Sequence, residues 1–422
     1  MKSGPGTLRV FMLLAVLPLV THGNEVAVHI RDPRTAEASA LMLDFARRTG
    51  LDSQQPPRRY LWTDAFAVCN FLGLAHSTGE SRYRELALRL VDQVHHVLGR
   101  HRDDDRRRGW ISGLSAGEGE RHPTIGGLRI GKRLPERGPD ERYDERLEWD
   151  QDGQYFHYLS KWMHALDQTG RAAGDPRYPV WARELALAAH KGFTYRIAPG
   201  RATGMYWKMS IDLSRPLVSS MGQHDPLEGY LAAVQLQTTA AALPRADKSP
   251  DLKMETGQFK DMLTEYSLAT SDPLGIGGLL TDAYRLMQLI KQGGPADKNL
   301  LGPLFAAALS GLKYYLNSGE LQAPPESRLA FRELGLAIGL SAVERMGGEE
   351  SKSTAIDARL EDLKHYVQVG MEIEAFWRNP KHQDNPAWTE HRDINEVMLA
   401  TRLAPEGFLV LKFRRGRTSI TY

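Results

Sequence analysis

Residue types that can exchange protons occur in this sequence beside aromatic side chains, in segments that connect one helical stretch to the next. There are four such segments, at positions 60–64, 147–158, 204–226 and 388–396. Carboxyl groups held close together raise one another's pKa, so that one can act as a general acid while another stays ionised. A fold that brings these segments together would therefore create a site for acid–base chemistry.

The second segment has the highest density of such residues. Glu148, Asp150 and Asp152 lie within five positions, and an aromatic run that includes Tyr155 and His157 follows directly. A calcium loop is a competing interpretation, but the spacing does not match the twelve-residue EF-hand pattern. Helix capping is another alternative, because an aspartate before a helix binds its first free N–H groups. We predict a catalytic role for Asp152.

Two further aspartates stand at the starts of apolar helical stretches. Asp64 begins the apolar run that follows Trp62, and Asp225 precedes Pro226, a residue that suits the first turn of a helix. His224, next to Asp225, would project from the link and could serve as a general base. Capping is again the alternative for both aspartates. The predicted catalytic set is Asp64, Asp152, Asp225 and His224.

Apolar periodicity and stop signals predict twelve helical segments, which make six hairpins. Their approximate bounds are 33–49, 62–77, 80–98, 153–169, 176–192, 226–242, 252–270, 276–292, 298–317, 326–346, 353–377 and 389–403. The links between them alternate between long segments rich in polar and aromatic residues and short turns. Strands are predicted only near 206–211 and 408–413.

The even-numbered helical segments are rich in small and apolar residues, whereas the third and the fifth are amphipathic. This difference predicts an inner ring of helices buried on all sides and an outer ring with one face in water. Functional loops tend to cluster at one end of a rigid scaffold. We therefore expect all the long links at one end of the ring.

Twelve helices in six hairpins, with aromatic and acidic residues on alternate links, resemble the (α/α)6 toroid of the six-hairpin glycosidase superfamily. Its members include unsaturated glucuronyl hydrolases, α-mannanases and N-acylglucosamine 2-epimerases. The Tyr-Leu-Trp-Thr-Asp motif at positions 60–64 resembles the aromatic-plus-acid start of an inner helix in these proteins. The chain departs from the glucuronyl hydrolases at Ala65, which stands where they have the asparagine of an Asp-Asn pair. The resemblance implies an all-α toroid over residues 31–405 as one domain, and it implies sugar chemistry.

On this resemblance, the aromatic and polar residues of the long links become candidates for sugar binding. They are Trp62, Trp149, Asp150, Tyr155, His157, Trp207, Trp388, His391 and Lys132. The last of these lies in an insert over residues 109–146 that could form a lid. We expect an enzyme of the glycoside hydrolase type, whose acid and base come from the aspartates named above. The alternatives are a sugar epimerase with paired histidines among His157, His224 and His391, or a carbohydrate-binding protein without catalysis.

The composition narrows the classes of protein further. The chain has 422 residues and a formal net charge of +2, so no global field attracts nucleic acid. Its single cysteine, Cys69, excludes an internal disulfide and a cysteine metal cluster. The glycine-rich run 126–132 has no preceding strand and no Ser or Thr after Lys132, so it is not a nucleotide-binding P-loop. We predict no metal and no other cofactor, and a carbohydrate as the partner.

The first 23 residues have the layout of a secretory signal. Lys2 and Arg9 precede an apolar run over 10–20, which is too short for a comfortable membrane span. Small residues around Gly23 offer a cleavage point, which predicts an exported or periplasmic protein. The alternative is an extension ahead of a downstream start, and hence a cytoplasmic protein. At the other end, residues 406–422 are predicted to form a basic tail.

Overall fold

A computed structural model describes Met1 and residues 32–196, 203–242, 250–264, 267–347 and 354–411. The predicted signal segment, apart from Met1, and the basic tail beyond Leu411 lie outside the described residues. Within these ranges, each helix is too short or too polar to cross a bilayer.

Helices dominate the described residues. In chain order they are α1 (Pro33–Arg48), α2 (Leu61–Thr78), α3 (Ser81–Leu98), α4 (Ala116–Arg121), α5 (Glu145–Asp150), α6 (Phe156–Ala173), α7 (Arg177–Phe193), α8 (Asp225–Ala242), α9 (Lys253–Met262), α10 (Pro273–Lys291), α11 (Leu301–Asn317), α12 (Ala330–Met346), α13 (Thr354–Lys364), α14 (Val367–Arg378), α15 (Pro380–Gln383), α16 (Pro386–Thr389), α17 (Arg392–Leu403) and α18 (Glu406–Leu409). Short 3-10 turns lie at Lys298–Leu300, Glu320–Gln322 and Pro325–Ser327.

An inner ring is formed by α2, α6, α8, α10, α12 and α17, in that order. Each of these helices packs against the next, and α17 returns to pack against α2, which closes the ring. An outer layer of α1, α3, α7, α9, α11 and the pair α13 and α14 covers the inner helices. The predicted fold class, an all-α (α/α)6 toroid, is confirmed.

The inner helices run parallel to one another, because residues at matching depths are in contact. Ser160 near the start of α6 donates to Glu228 near the start of α8. Further along the ring, Thr401 in the third turn of α17 donates to Asn70 in the third turn of α2. All the inner helices therefore begin at the same end of the ring, here called the upper end, and the long links that precede them meet there.

The inner helices are apolar on all sides because other helices surround them. In α2 every residue over 61–74 is buried, whereas α3 buries one face that includes Tyr83 and Leu86. Close packing between α10 and α12 depends on glycine. A Cβ atom at Gly277 would lie 2.1 Å from the carbonyl oxygen of Gly335.

Short antiparallel strands occupy the links before α6 and α8. They are β1 (Gln154–Tyr155), β2 (Thr194–Arg196), β3 (Thr203–Met205), β4 (Lys208–Met209) and β5 (Pro216–Val218). One sheet has the order β1-β4-β5, with Gln154 opposite Met209, and β2 pairs with β3 in a second sheet. The strand predicted near 206–211 is thus confirmed in part as β4. The strand predicted near 408–413 is wrong over its described residues, because α18 begins at Glu406 and the chain turns there instead of extending.

Two predicted helices differ from the structure in extent. The segment predicted as helical over 252–270 ends early, at Met262. The segment predicted over 353–377 is broken between Lys364 and Val367. The break lets α13 pack against α11 while α14 packs against α12, so two shorter helices cover two neighbours.

After α17 the chain turns into the interior of the ring. This C-terminal segment (residues 404–411) is held by Gln168 of α6, which donates to the carbonyl oxygen of Gly407 at 2.8 Å. Phe408 stacks on Phe66 of α2, with ring centroids 4.3 Å apart. The predicted boundary at residue 405 therefore differs from the structure, since the described part of the predicted tail belongs to the packed interior.

Candidate active site

Aromatic rings from three links meet at the upper end in one continuous group. This aromatic cluster consists of Tyr60, Trp149, Tyr155, His157, Tyr158 and Trp207. Between ring centroids, Trp207 lies 5.1 Å from Trp149 and 5.4 Å from Tyr155. Tyr155 lies 5.2 Å from Tyr158, whose hydroxyl group is hydrogen-bonded to that of Tyr60 at 2.6 Å. The structure thus brings together four of the predicted binding residues, Trp149, Tyr155, His157 and Trp207.

A buried ion pair between Lys208 and Glu148 connects the second and third links next to the aromatic cluster. Lys208 is fully buried, and its ammonium group lies 2.9 Å from Oε1 of Glu148 and donates to the carbonyl oxygen of Gln151. The same ammonium lies 5.5 Å from the ring centroid of Tyr155, within the range of cation–π attraction. Arg137 contacts Glu148 as well, at 2.8 Å. These contacts hold the second and third links in a fixed relation.

Asp225, the first residue of α8, lies beside the aromatic cluster. One carboxyl oxygen is 3.8 Å from Nδ1 of His157, and Oδ2 has no hydrogen-bond partner among the described residues. Burial raises the pKa of Asp225 well above its usual range, and the charge of Glu228 raises it further. Burial and this charge thus favour the protonated form of Asp225. Burial also lowers the pKa of His157 to about 4, so its imidazole is neutral.

Glu228 lies three residues further along α8, on the same face as Asp225. Its carboxylate is 2.8 Å from the ammonium group of Lys161 and accepts a hydrogen bond from Ser160. Burial acts to raise the pKa of Glu228, but the charge of Lys161 and the hydrogen bonds outweigh burial and hold the pKa below its usual range. The pKa values of two carboxyl groups one helical turn apart are thus shifted in opposite directions, as a division between acid and base requires.

A third buried carboxyl group faces the interior from α10. Burial raises the pKa of Asp282 to about 6, although the charge of Lys161 opposes the rise. Asp282 lines a small cavity inside the ring, with room for about one or two water molecules. The lining residues are Lys161, His164, Thr281, Asp282, Arg285, Phe408 and Leu409. The C-terminal segment therefore forms part of the wall next to the acidic groups.

Asp64 is enclosed in the first turn of α2. Its carboxylate accepts from the guanidinium of Arg59 at 3.3 Å and from the backbone N–H of Tyr60 at 2.9 Å. Burial raises the pKa of Asp64 to about 6, and the charge of Arg59 opposes the rise. With 1% of its surface exposed and both oxygens bonded, Asp64 is a structural group of the first turn: the N-cap of α2 is Tyr60, and Asp64 accepts from the backbone N–H of that residue. Its catalytic role stays a prediction.

Asp152 is fully buried beneath the second link. It accepts from Arg129 at 2.6 Å and from the backbone N–H groups of Gly131 and Gly153, both at 3.0 Å. A second guanidinium, that of Arg102, lies 3.4 Å away. These four donors saturate the carboxylate, so Asp152 ties the predicted lid to the ring and does not open onto the cluster. The catalytic role predicted for it likewise stays untested.

Lys132, from the predicted lid, borders the aromatic cluster. Its ammonium lies 5.6 Å from the ring centroid of Tyr60, and burial lowers its pKa. Trp62 lies deeper, packed on Phe66 with ring centroids 4.4 Å apart. His224 precedes Asp225, but its Nε2 pairs with the carbonyl oxygen of Leu268 at 2.8 Å rather than with a carboxylate.

The remaining predicted binding residues do not join the cluster. Trp388 is buried and stacks on Trp377 of the outer layer, 5.7 Å between centroids. His391 is exposed and lies 6.0 Å from Phe331. Asp150 is exposed at the end of α5. The fourth link therefore packs largely against its own side of the ring.

Sequence reasoning missed the charged residues in the middle of the inner ring. These are Lys161, Glu228, Asp282 and Arg285. The available signal was their position inside helices that are otherwise apolar, where a charged side chain needs a partner. Across the described ranges, no group of three or more His, Cys, Asp or Glu side chains could hold a metal ion.

No protein-family model matches the sequence, and no curated protein matches it. A search of solved structures does find matches. An inactive variant of the α-1,6-mannanase GH76A of Salegentibacter sp., in complex with α-1,6-mannotriose, superposes with a TM-score of 0.50 at 12% identity, covering 88% of this chain and 99% of that one. This chain shares the toroid fold of that mannanase.

Two further solved structures are similar to this toroid. The GH76 α-mannanase of Bacteroides thetaiotaomicron gives a TM-score of 0.49 at 10% identity, covering 89% of this chain and 96% of its own. The cellobiose 2-epimerase of Spirochaeta thermophila gives 0.48 at 14% identity, covering 87% and 96%. At such identities the similarity concerns the fold alone.

Proposed function

We propose that this chain is a carbohydrate-active enzyme of the glycoside hydrolase type, with Asp225 as general acid and Glu228 as its ionised partner. The observation that supports this most is the opposite direction of their pKa shifts, one helical turn apart on α8. Hydrolysis of a glycosidic bond needs one carboxyl group that donates a proton to the leaving oxygen and one carboxylate that acts as base or nucleophile.

The surroundings of the two groups suit these roles. Oδ2 of Asp225 is buried and has no hydrogen-bond partner among the described residues, so no other protein group competes for a proton on it. A glycosidic oxygen that receives this proton would have to enter beside the aromatic cluster. Glu228 keeps its negative charge through Lys161, and that charge would stabilise the oxocarbenium-like transition state. Asp282 is a third buried carboxyl group near this pair: burial raises its pKa, and the charge of the same ammonium opposes the rise.

The aromatic cluster supports a sugar as the substrate. Binding sites combine aromatic walls with a few placed polar groups, and aromatic rings pack well against the apolar C–H faces of sugars. The solved α-1,6-mannanase with this fold is bound to α-1,6-mannotriose. That analogy concerns the fold, so it raises the expectation of a sugar substrate without identifying the sugar.

A sugar epimerase with paired histidines is the alternative. Among His157, His224 and His391, no hydrogen bond or ring contact joins any two across the part of the chain that the structure describes. Each has another partner: a carboxyl group, the carbonyl of Leu268 and the ring of Phe331, respectively. The carboxyl groups, in contrast, influence one another's pKa, which favours hydrolysis over epimerisation.

The test is incubation of the purified protein with a panel of defined oligosaccharides, with products identified by mass spectrometry and by NMR of the anomeric protons. Glu228→Gln and Asp225→Asn should each lower turnover by about 100-fold or more, as expected for loss of an acid or base. Glu390→Gln removes an exposed carboxylate from the same end of the ring and should leave turnover unchanged.

Three results would count against this proposal. A product of unchanged mass with an inverted centre would favour the epimerase. Binding of a sugar without any product would favour the binding protein. Cleavage that persists in both carboxyl variants, with their melting temperatures preserved, would move the acid and base to other residues.

We also propose that the protein is exported, on the strength of the basic and apolar pattern of residues 1–23. Expression with the natural N-terminus, followed by N-terminal sequencing of the mature chain, tests this. A mature chain that begins near residue 24 supports export, and an intact Met1 contradicts it.

A further inference from the structure

Trp149 is an exposed aromatic residue at the outer end of the aromatic cluster. Its side chain is 48% exposed, and its ring meets that of Trp207 edge to face, with centroids 5.1 Å apart. Trp149 is not an isolated exposed ring, because it continues the aromatic cluster to the surface, and contiguous apolar surface of this kind marks binding sites. The contact with Trp207 orients the ring and leaves much of its surface open.

Ring contacts connect Trp149 to the proposed acid. Trp207 lies 6.4 Å from His157, with ring planes within 16° of each other, and His157 lies beside Asp225. Each of these steps between rings is comparable to the length of one sugar unit in a chain. A sugar stacked on Trp149 would thus be separated from the bond at Asp225 by at least one unit lying over Trp207.

Polar groups accompany Trp149 at the rim. Asp150 is exposed on the same short helix and can accept hydrogen bonds from sugar hydroxyl groups. Tyr143, which is 52% exposed, lies just before this helix, and the guanidinium of Arg137 lies 5.7 Å from its ring centroid. Arg137 also contacts Glu148, so these exposed residues are connected to the buried ion pair of Glu148 and Lys208.

Building on the proposed hydrolase function, we propose that Trp149 is an outer subsite for a distant unit of a sugar chain, so that the substrate is an oligosaccharide and not a mono- or disaccharide. The affinity for the substrate then depends on the number of sugar units in its chain. Units beyond the reactive bond add stacking on Trp149, which a short substrate cannot reach.

The experiment measures kcat/KM for α-1,6-linked manno-oligosaccharides and for cello-oligosaccharides, from disaccharide to hexasaccharide. Binding of the same ladders is measured on a glycan array. In the wild type, kcat/KM and binding should rise with chain length. Trp149→Ala should lower the ratio of hexasaccharide to disaccharide kcat/KM by roughly tenfold, mainly through KM, and Trp149→Phe should restore part of it.

Tyr314→Ala is the matched control, because this ring is 67% exposed on the outer helix α11 and makes no ring contact with the aromatic cluster among the described residues. It should leave the ratio as in the wild type. Equal ratios for the Trp149→Ala variant and the wild type would overturn the subsite while leaving hydrolysis intact. Ladders that bind with a Trp149-dependent increase but are not cleaved would uphold the subsite and refute the hydrolase. Ladders that are neither bound nor cleaved would overturn both.

Discussion

Replacing Lys161 by methionine should show how the buried carboxyl groups are held in different protonation states. The ammonium lies 2.8 Å from Glu228, and the two side chains are only 16% and 13% exposed. Methionine keeps the length and the apolar part of the side chain but removes the charge. Glu228 would then stand among Asp225, Asp282 and a neutral His157, and its ion-pair partner would be gone, although the charge of Arg285 still acts on it.

Removing one partner of a buried ion pair costs about 3–5 kcal/mol of unfolding free energy, because the remaining charge is uncompensated. In the wild type the pKa of Glu228 is held below its usual range, so this group contributes stability that is present above the unfolded pKa and lost as the pH falls. Without Lys161, burial should raise that pKa, and the folded state should then take up a proton. The loss of stability should be largest near pH 8 and shrink towards the unfolded pKa of ~4.3.

Urea denaturation followed by circular dichroism at pH 5 and pH 8 measures this difference. Lys260→Met is the control, because Lys260 lies 2.9 Å from Asp297 with a similar geometry but is 50% exposed. A surface pair of this kind should cost at most about 1 kcal/mol. The double variant Lys161→Met with Glu228→Gln should recover part of the lost stability, since it removes the unbalanced charge.

Equal losses at both pH values would refute this account of Glu228. So would a loss no larger than that of Lys260→Met, or a double variant less stable than Lys161→Met alone. Each of these results would mean that Lys161 supports the ring by packing and not by its charge.

Two further predictions concern the scaffold. Gly407→Ala should lower the free energy of unfolding by about 3 kcal/mol, because its Cβ would lie 1.9 Å from the carbonyl oxygen of Cys69. Gly117→Ala is the control, because a Cβ at Gly117 would meet nothing within 4 Å. If thermal denaturation gives the two variants equal melting temperatures, the steric reasoning is contradicted. The raised pKa of Asp64, about 6, contributes stability that is lost as the pH rises through that value. Asp64→Asn should therefore gain about 3 kcal/mol relative to the wild type between pH 4 and pH 7, and a constant difference in denaturation experiments would contradict this.

The ring of helices was predictable because its signal is spread over long stretches. An inner helix such as α2 is buried along almost its whole length, so its sequence is apolar without a wet face. Because the inner helices all run in the same direction, the long links that precede them lie at one end of the ring and the short turns lie at the other. The break between α13 and α14 was not predictable, because it depends on which neighbouring helices each piece covers.

The residues of the candidate site were predictable only where residues that lie close in the sequence also lie close in the structure. Trp149, Tyr155 and His157 lie close in sequence and meet in space, so a local pattern was enough. Lys161 and Glu228 come from different helices, and only the ring places one against the other. The sequence also does not distinguish a saturated carboxylate such as that of Asp152 from one with a free oxygen, because the donors come from distant segments.

The first inner helix, α2, packs against α17 and the C-terminal segment, and this closure of the ring has a consequence for synthesis. Asn70 of α2 donates to the carbonyl oxygen of Val397 at 3.0 Å, and Phe66 of the same helix packs on Phe408. On the ribosome, α2 emerges early and keeps an apolar surface without these partners until nearly all later hairpins have followed. Protection of that surface by chaperones, and the speed of translation, should therefore govern the yield of folded protein more than local helix propensity does.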